Sequence, residues 1–305
     1  MDKEMQIWRN SSQYLLEGRK NPSNGSYDIY PTLKIEEGKI SAGFESLAER
    51  IEGEKKVIID AYIGVFLKNF QQELDKALKV RGIKALWWHV SAAMKGSETL
   101  QEMIDPYLGG DDPVFGSLAE PLKLEDFFKK DRLNTIQPDP DAEMNILIGH
   151  GASLCNWEGC LIYIDLPKNE LQFRMRADSI TNFGADSSFD HKQMYKRFYF
   201  VDWVVFNKQK QNILNHVDLF IDGQNPASPT WSDSQTVKES LHQMAHNMFR
   251  VRPWFEPGVW GGEWIKQHIG GLNKEVPNYA WSFELIAPEN GLLIESGHKL
   301  LEISF

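Results

Sequence analysis

The chain has 305 residues, of which 42% are hydrophobic and 12% aromatic, and its formal net charge is -10. This composition excludes a disordered chain, and the acidic balance disfavours a general nucleic-acid-binding protein. The first residues lack the apolar core of a signal peptide, no run is long enough to span a membrane, and two cysteines are too few for a disulfide framework. We therefore expect a cytoplasmic protein without nucleic-acid or membrane partners, and the sequence leaves a homo-oligomer open.

By composition the chain divides into three parts. Residues 1–45 are polar and rich in turn signals, and we expect them to form an N-terminal arm. Residues 46–249 alternate between strand-like and helix-like patterns, which predicts an α/β domain with a doubly wound, mostly parallel sheet. From residue 250, prolines, glycines and aromatics crowd together, which predicts the start of a β domain. Its strand-like pieces are residues 281–286, 291–295 and 300–305.

The first predicted strand of the α/β domain is residues 57–60, and an amphipathic helix follows it after a turn. Nucleotide-binding α/β folds carry a phosphate-binding loop at this turn. A P-loop needs two glycines and a Lys-Ser/Thr pair, whereas residues 60–68 contain one glycine, Gly64, and no such pair. We therefore do not expect ATP as a cofactor. Asp60 is interpreted either as a cap of the following helix or as a strand-end acid that faces a cleft.

Residues 144–176 form the centre of the predicted domain, because two apolar runs in them are typical of buried parallel strands. Each run ends in a polar or glycine-bearing break, where open α/β sheets bind their ligands. Asp165, after the second run, is predicted to cap a helix. His150, in the first break, either binds a ligand or acts as an acid or base, or it is a structural histidine. The candidate ligand-binding residues of this break are Gly149, His150, Gly151 and Ser153.

A local excess of basic residues follows, with eight Lys or Arg and five Asp or Glu between positions 168 and 210. This excess predicts a phosphate site formed by Arg174 or Arg176 together with Lys196 or Arg197. Two alternatives weaken the prediction. Glu170 and Arg174 have the spacing of a helix-surface ion pair. Arg174 and Arg176 lie about 200° apart around a helix, so that both can hardly serve one pocket.

Two further pairs of residues could suggest a metal site. His242 and His246 have the spacing of metal ligands on a helix, but the apolar face of that helix places both on the solvent side. Cys155 and Cys160 are interpreted as two small buried residues. We expect no metal site among these residues, and we assign no catalytic residue.

Five stretches carry a resemblance to a known family. The sequence RPWFEPGVWGGEW at 252–264, followed by NYAWSFE at 278–284, resembles the entry to the cupin domain of class I mannose-6-phosphate isomerases. More closely, the chain is similar to bacterial mannose-6-phosphate isomerase-like proteins in which a kinase-like α/β domain precedes the cupin. The other matching stretches are LIGHGASL at 147–154, LIYID at 161–165 and YKRFYFVDW at 195–203.

The resemblance implies a domain similar to a degenerate P-loop nucleoside kinase, followed by the first strands of a cupin. It also implies aldose-ketose isomerisation in sugar-phosphate metabolism, with a zinc ion held by His, Glu and Gln side chains of the cupin. No Gln-x-His-Pro-like motif occurs here and His298 stands alone. We therefore expect the metal-bearing part beyond Phe305, and no isomerase activity from this chain alone. The alternatives are a non-catalytic regulatory module that binds a sugar phosphate or nucleotide, and a kinase of unusual design.

Overall fold

A seven-stranded sheet is the centre of the computed structural model, which describes residues 7–13, 15, 32–112, 115–247, 250–254, 267–268, 270–271, 282–286 and 291–304. The strands, in chain order, are β1 (Leu33–Ile35), β2 (Ser41–Ala42), β3 (Lys56–Ala61), β4 (Ala85–His89), β5 (Met144–Gly149), β6 (Cys160–Asp165), β7 (Leu219–Asp222), β8 (Thr230–Asp233), β9 (Arg250–Trp254), β10 (Ser282–Ile286), β11 (Gly291–Ser296) and β12 (Lys299–Ser304). The α-helices are α1 (Phe44–Ile51), α2 (Leu67–Val80), α3 (Ser97–Leu108), α4 (Lys130–Thr135), α5 (Lys168–Arg176), α6 (His191–Arg197), α7 (Trp203–Ile213) and α8 (Ser234–His246).

The large sheet has the strand order β2-β8-β7-β6-β3-β5-β4. Strands β4, β5, β3, β6 and β7 run parallel to one another, whereas β8 is antiparallel to both of its neighbours, β7 and β2. The first parallel strand, β3, lies in the middle. The next two strands, β4 and β5, lie on one side of it, and β6 and β7 lie on the other side. Parallel neighbours of this kind require crossover connections, which are right-handed as a rule. The expected α/β fold with a mostly parallel sheet is confirmed.

Continuous β-branched runs explain why β3, β5 and β6 lie at the centre. Ile59, Ile146 and Ile162 are fully buried, as strands covered by helices on both faces require. At the edge of the sheet, β4 is only partly buried. Trp87 and Trp88 are half-buried there, and their indole N–H groups donate to side-chain oxygens.

The N-terminal and C-terminal parts of the described chain meet in a second sheet of order β1-β11-β12. Strand β1 pairs parallel with β11, and β11 pairs antiparallel with β12. Strands β9 and β10 form a separate antiparallel pair. The strands predicted after residue 250 are therefore present at 282–286, 291–296 and 299–304. The three-part domain division and the cupin assignment stay predictions, and residues 255–264 and 278–281 of the resemblance lie outside the described residues.

Strand β12 contacts the large sheet at the carboxyl ends of β6 and β7. The Glu302 N–H donates to Asp222 Oδ2 over 2.9 Å, and the Ser304 N–H donates to Asp165 Oδ2 over 2.6 Å. Asp165 also accepts from Lys210 Nζ over 2.8 Å. The predicted helix cap at Asp165 is wrong, because the residue before α5 is Pro167 and no side chain caps this helix. Of the described helices, none combines the length and apolar character needed to cross a membrane.

Candidate functional site

A cleft lies at the carboxyl ends of β3, β4 and β5. It consists of two adjoining cavities of about 380 and 440 Å³, and Met94, His150 and Phe183 border both. The smaller cavity lies between the turn at 63–66 and residues 178–184. The larger one lies between the start of α2 and the ends of β4 and β5. This is the edge of an open α/β sheet at which small ligands bind.

The turn after β3 leads directly into α2 and forms one wall of the cleft. Gly64 has a φ of 89°, and a Cβ at this position would lie 3.1 Å from Leu166 Cδ2, so the turn favours glycine on both counts. Helix α2 begins without a side-chain cap. Among the described residues, none accepts a hydrogen bond from the backbone N–H of Lys68 or Asn69. The positive end of the helix dipole therefore lies beside the cleft, and Lys68, one of these two bare donors, borders the larger cavity.

Lys68 adds a positive charge at the same helix end. Its side chain is exposed and borders the larger cavity, and the first turn of α2 contains no acidic residue. A lysine in the first turn is unfavourable for the helix dipole, and an anion at this position would offset that cost. The start of α2 thus has the electrostatics of an anion site.

Asp60, at the end of β3, is buried and does not border the cleft. Its carboxylate accepts from the N–H of Gly151 over 2.8 Å and of Ser153 over 3.0 Å, and from the Ser153 hydroxyl. Burial raises the pKa of Asp60 above its ordinary value, and these hydrogen bonds act in the opposite direction. The interpretation of Asp60 as a cap of the following helix is wrong, because no side chain caps α2. The Asp60 carboxylate accepts hydrogen bonds from the turn after β5 instead.

His150 lies at the junction of the two cavities. Its Nδ1 is 3.1 Å from the carbonyl oxygen of Ala61. Because a carbonyl oxygen only accepts, Nδ1 carries the proton and Nε2 carries the lone pair. The ring packs edge-on against Phe183 and Phe206, with ring centroids 5.9 and 5.6 Å away. Burial lowers the pKa of His150 to about 4, so the imidazole is neutral at pH 7.

Arg174 is fully buried, and it joins two turns of the protein. Its guanidinium donates to the carbonyl oxygens of Gly64 over 2.9 Å and Gly223 over 2.8 Å. It also donates to Glu170 Oε1 over 3.3 Å, which makes a buried ion pair. Burial lowers the pKa of Arg174 to about 10, which leaves it charged at pH 7. The Glu170–Arg174 pair exists, but the expectation that it lies on the helix surface is wrong.

The other three basic residues of the predicted phosphate cluster lie in separate places. Arg176 is exposed, which confirms that Arg174 and Arg176 do not share a pocket. The Lys196 ammonium donates to the carbonyl oxygens of Gly110 and Asp112. The Arg197 guanidinium donates to the carbonyl oxygen of Phe183, with its Nε 3.8 Å from Asp202. These side chains bind different loops and do not converge.

Three of the predicted site residues, Gly64, Gly149 and His150, border the cleft. The amides of Gly151 and Ser153, which the sequence predicts as ligand-binding, donate to Asp60. A ligand role for the ten predicted residues stays a prediction. The sequence did not identify Lys68 as a site residue, although Lys68 is the last residue of the stretch compared with a P-loop. It also did not identify residues 178–184, because they have no periodic pattern.

The described residues offer no group of three or more His, Cys, Asp or Glu side chains that could hold a metal ion. His242 and His246 are exposed, as predicted, and His246 Nδ1 lies 2.7 Å from the carbonyl oxygen of His242. Cys155 and Cys160 are buried and unpaired, as predicted. Within this part of the chain the residues do not fit the zinc centre that the resemblance implies.

Fold and cleft together define an α/β protein with a ligand-sized site at the ends of its central parallel strands. Residues 43–246 match the model of a family described as Domain of unknown function (DUF8485), and the chain belongs to this family. This span contains all the strands and turns that border the cleft. A comparison with curated proteins gives no match.

Proposed function

We propose that the chain is a binding module for a small phosphorylated compound, a sugar phosphate or a nucleotide, whose phosphate binds at the start of α2. The observation that carries this proposal is the uncapped start of α2, where Lys68 borders the larger cavity and its backbone N–H has no acceptor among the described residues. Helix N-termini of this kind bind phosphates through their backbone donors and their dipole.

The size and lining of the cleft support a small organic ligand. Pockets for such ligands measure about 300–1,000 Å³ and combine apolar walls with a few polar groups. The larger cavity, about 440 Å³, has apolar walls from Leu67, Val90 and Ile148. His150 is a partly buried polar group in its wall, and Lys68 is exposed and borders it. This lining would hold the carbon skeleton of a ligand whose phosphate lies at α2.

The resemblance to mannose-6-phosphate isomerases favours a sugar phosphate among these ligands. We propose isomerase activity only for a longer protein that includes the metal-bearing part of a cupin. The kinase-like part of the resemblance is a proposal too, and the turn between β3 and α2 supports it by its position. That turn lacks the Lys-Ser/Thr pair that would bind magnesium and ATP phosphates, so we propose no phosphoryl transfer.

Isothermal titration calorimetry with inorganic phosphate, mannose 6-phosphate and AMP tests the proposal. Lys68→Gln removes the charge at the start of α2, and we expect it to weaken phosphate-dependent binding about tenfold, or about 1.4 kcal/mol. Lys76→Gln is the matched control, because Lys76 is an exposed lysine further along the same helix. We expect it to bind like the unchanged protein. If none of the three compounds binds, or if Lys68→Gln binds as well as Lys76→Gln, the proposal is wrong.

A further inference from the structure

The hydrogen bond from His150 to Ala61 determines what the other ring nitrogen can do. Nδ1 donates to the Ala61 carbonyl oxygen, and the edge-on contacts with Phe183 and Phe206 hold the ring in this orientation. Among the described residues, none forms a hydrogen bond with Nε2. A neutral imidazole in this tautomer offers a lone pair at Nε2 and no second donor. His150 is therefore a fixed acceptor at the junction of the two cavities.

His150 and Lys68 border the same cavity of about 440 Å³. The Lys68 end presents an ammonium and the bare backbone N–H of Lys68, which suit an anion. The His150 position presents an acceptor beside apolar walls, and a ligand that displaces water from Nε2 without offering a donor leaves it unpaired, which costs free energy. A ligand that meets both needs carries a phosphate at one end and a hydroxyl or amine donor further along its skeleton.

We infer that this cavity selects phosphorylated polyols over simple alkyl phosphates, and that His150 Nε2 accepts a hydrogen bond from a ligand hydroxyl. The inference rests on the proposed function, because it takes the start of α2 as the phosphate site. It adds a residue that determines specificity and a class of ligand. Inorganic phosphate satisfies only the Lys68 end, whereas a sugar phosphate satisfies both.

A matched pair of ligands tests the inference on the unchanged protein. Glycerol 3-phosphate and propyl phosphate have the same three-carbon skeleton and phosphate, and only the first carries hydroxyls. We expect glycerol 3-phosphate to bind about tenfold more tightly, because propyl phosphate leaves Nε2 unpaired. The apolar walls favour propyl phosphate, so a preference for the polyol identifies hydrogen bonding.

The variant His150→Phe keeps an aromatic ring and removes the acceptor. We expect it to lose the preference for glycerol 3-phosphate while it keeps Lys68-dependent binding of propyl phosphate. Should this variant not fold, ¹⁵N NMR of histidine in the unchanged protein replaces it. We then expect the Nε2 resonance of His150 to move upfield with glycerol 3-phosphate and to stay in place with propyl phosphate.

The outcomes separate the two proposals. If both phosphates bind with a dependence on Lys68, but equally well or with a preference that survives His150→Phe, the inference is overturned and the proposed function stands. An Nε2 resonance that does not respond to glycerol 3-phosphate has the same meaning. If neither phosphate binds, the proposed function fails, and the inference fails with it.

Discussion

Two regions of one sheet edge differ in how their polar groups are satisfied. At the carboxyl ends of β6 and β7, Asp165 Oδ2 and Asp222 Oδ2 accept hydrogen bonds from the backbone of β12 and from Lys210, and Asp165 Oδ1 alone of these carboxylate oxygens has no partner among the described residues. At the carboxyl ends of β3 to β5, the backbone N–H of Lys68 and Nε2 of His150 have no partner among the described residues, and both residues border the larger cavity. The protein fills the first region with its own chain and leaves the second open.

The difference indicates where a ligand can bind. Strand ends attract ligands because polar groups converge there, and a strand of the same chain can satisfy those groups as well as a ligand can. The acids at the strand ends do not mark the ligand site, because all of them are buried and accept hydrogen bonds from protein groups. They are Asp60, Asp165 and Asp222. The open region is marked by a donor and an acceptor that find no partner in the described part of the chain.

Arg174 joins the two regions, and its loss should have the largest effect. Arg174→Met would leave Arg9 as the one ion-pair partner of Glu170 among the described residues, and the carbonyl oxygens of Gly64 and Gly223 would lose their bonds to the guanidinium. We expect the free energy of unfolding to fall by about 3–5 kcal/mol, measured by urea denaturation. Arg176→Met on the same helix is the control and should change it by about 0.5 kcal/mol or less. Equal stability of the two variants would show that Arg174 does not hold the regions together.

The filled region should respond to pH. Burial, and then the charge of Glu302, raise the pKa of Asp222 from 3.8 to about 7. The folded state therefore holds this proton more tightly than the unfolded chain between about pH 4 and 7, and the contribution of Asp222 to stability falls as the pH rises through that window. Glu302→Gln removes one cause of the raised pKa.

We expect Glu302→Gln to unfold like the unchanged protein at pH 4 and to be more stable than it at pH 8 by about 1 kcal/mol, which corresponds to somewhat less than one pKa unit. Urea denaturation at a series of pH values measures the difference. Glu295→Gln, at a partly exposed position of β11, is the control and should not change the pH dependence. A lower stability of Glu302→Gln at pH 8 would contradict the assignment of Glu302 as the group that raises the pKa of Asp222.

Local sequence patterns predict the central strands of this protein but only part of its candidate site. The runs that form β3, β5 and β6 are recognisable because strands buried on both faces require continuous apolar residues. Helical periodicity correctly places His242 and His246 on the solvent side. The position of Arg174 is different, because its acceptors Gly64 and Gly223 lie 110 and 49 residues away along the chain. No local pattern carries such contacts.

The open region was only partly predictable for the same reason. His150 and Gly64 follow predicted strands, so the rule for strand ends finds them. The missing cap of α2 is visible only once its first residue is known. Residues 178–184 become a wall of the cleft through contacts made in the folded chain, and their polar sequence indicates a loop and nothing more.

The most direct test of the difference between the regions is a titration of the ¹⁵N-labelled chain with inorganic phosphate, in which NMR monitors the backbone amide resonances. We predict that the amides of Lys68 and Asn69 shift with saturating dependence on phosphate, while those of Glu302 and Ser304 do not move. Unchanged Lys68 and Asn69 resonances, or shifts confined to Glu302 and Ser304, would contradict the assignment of the start of α2 as the phosphate site.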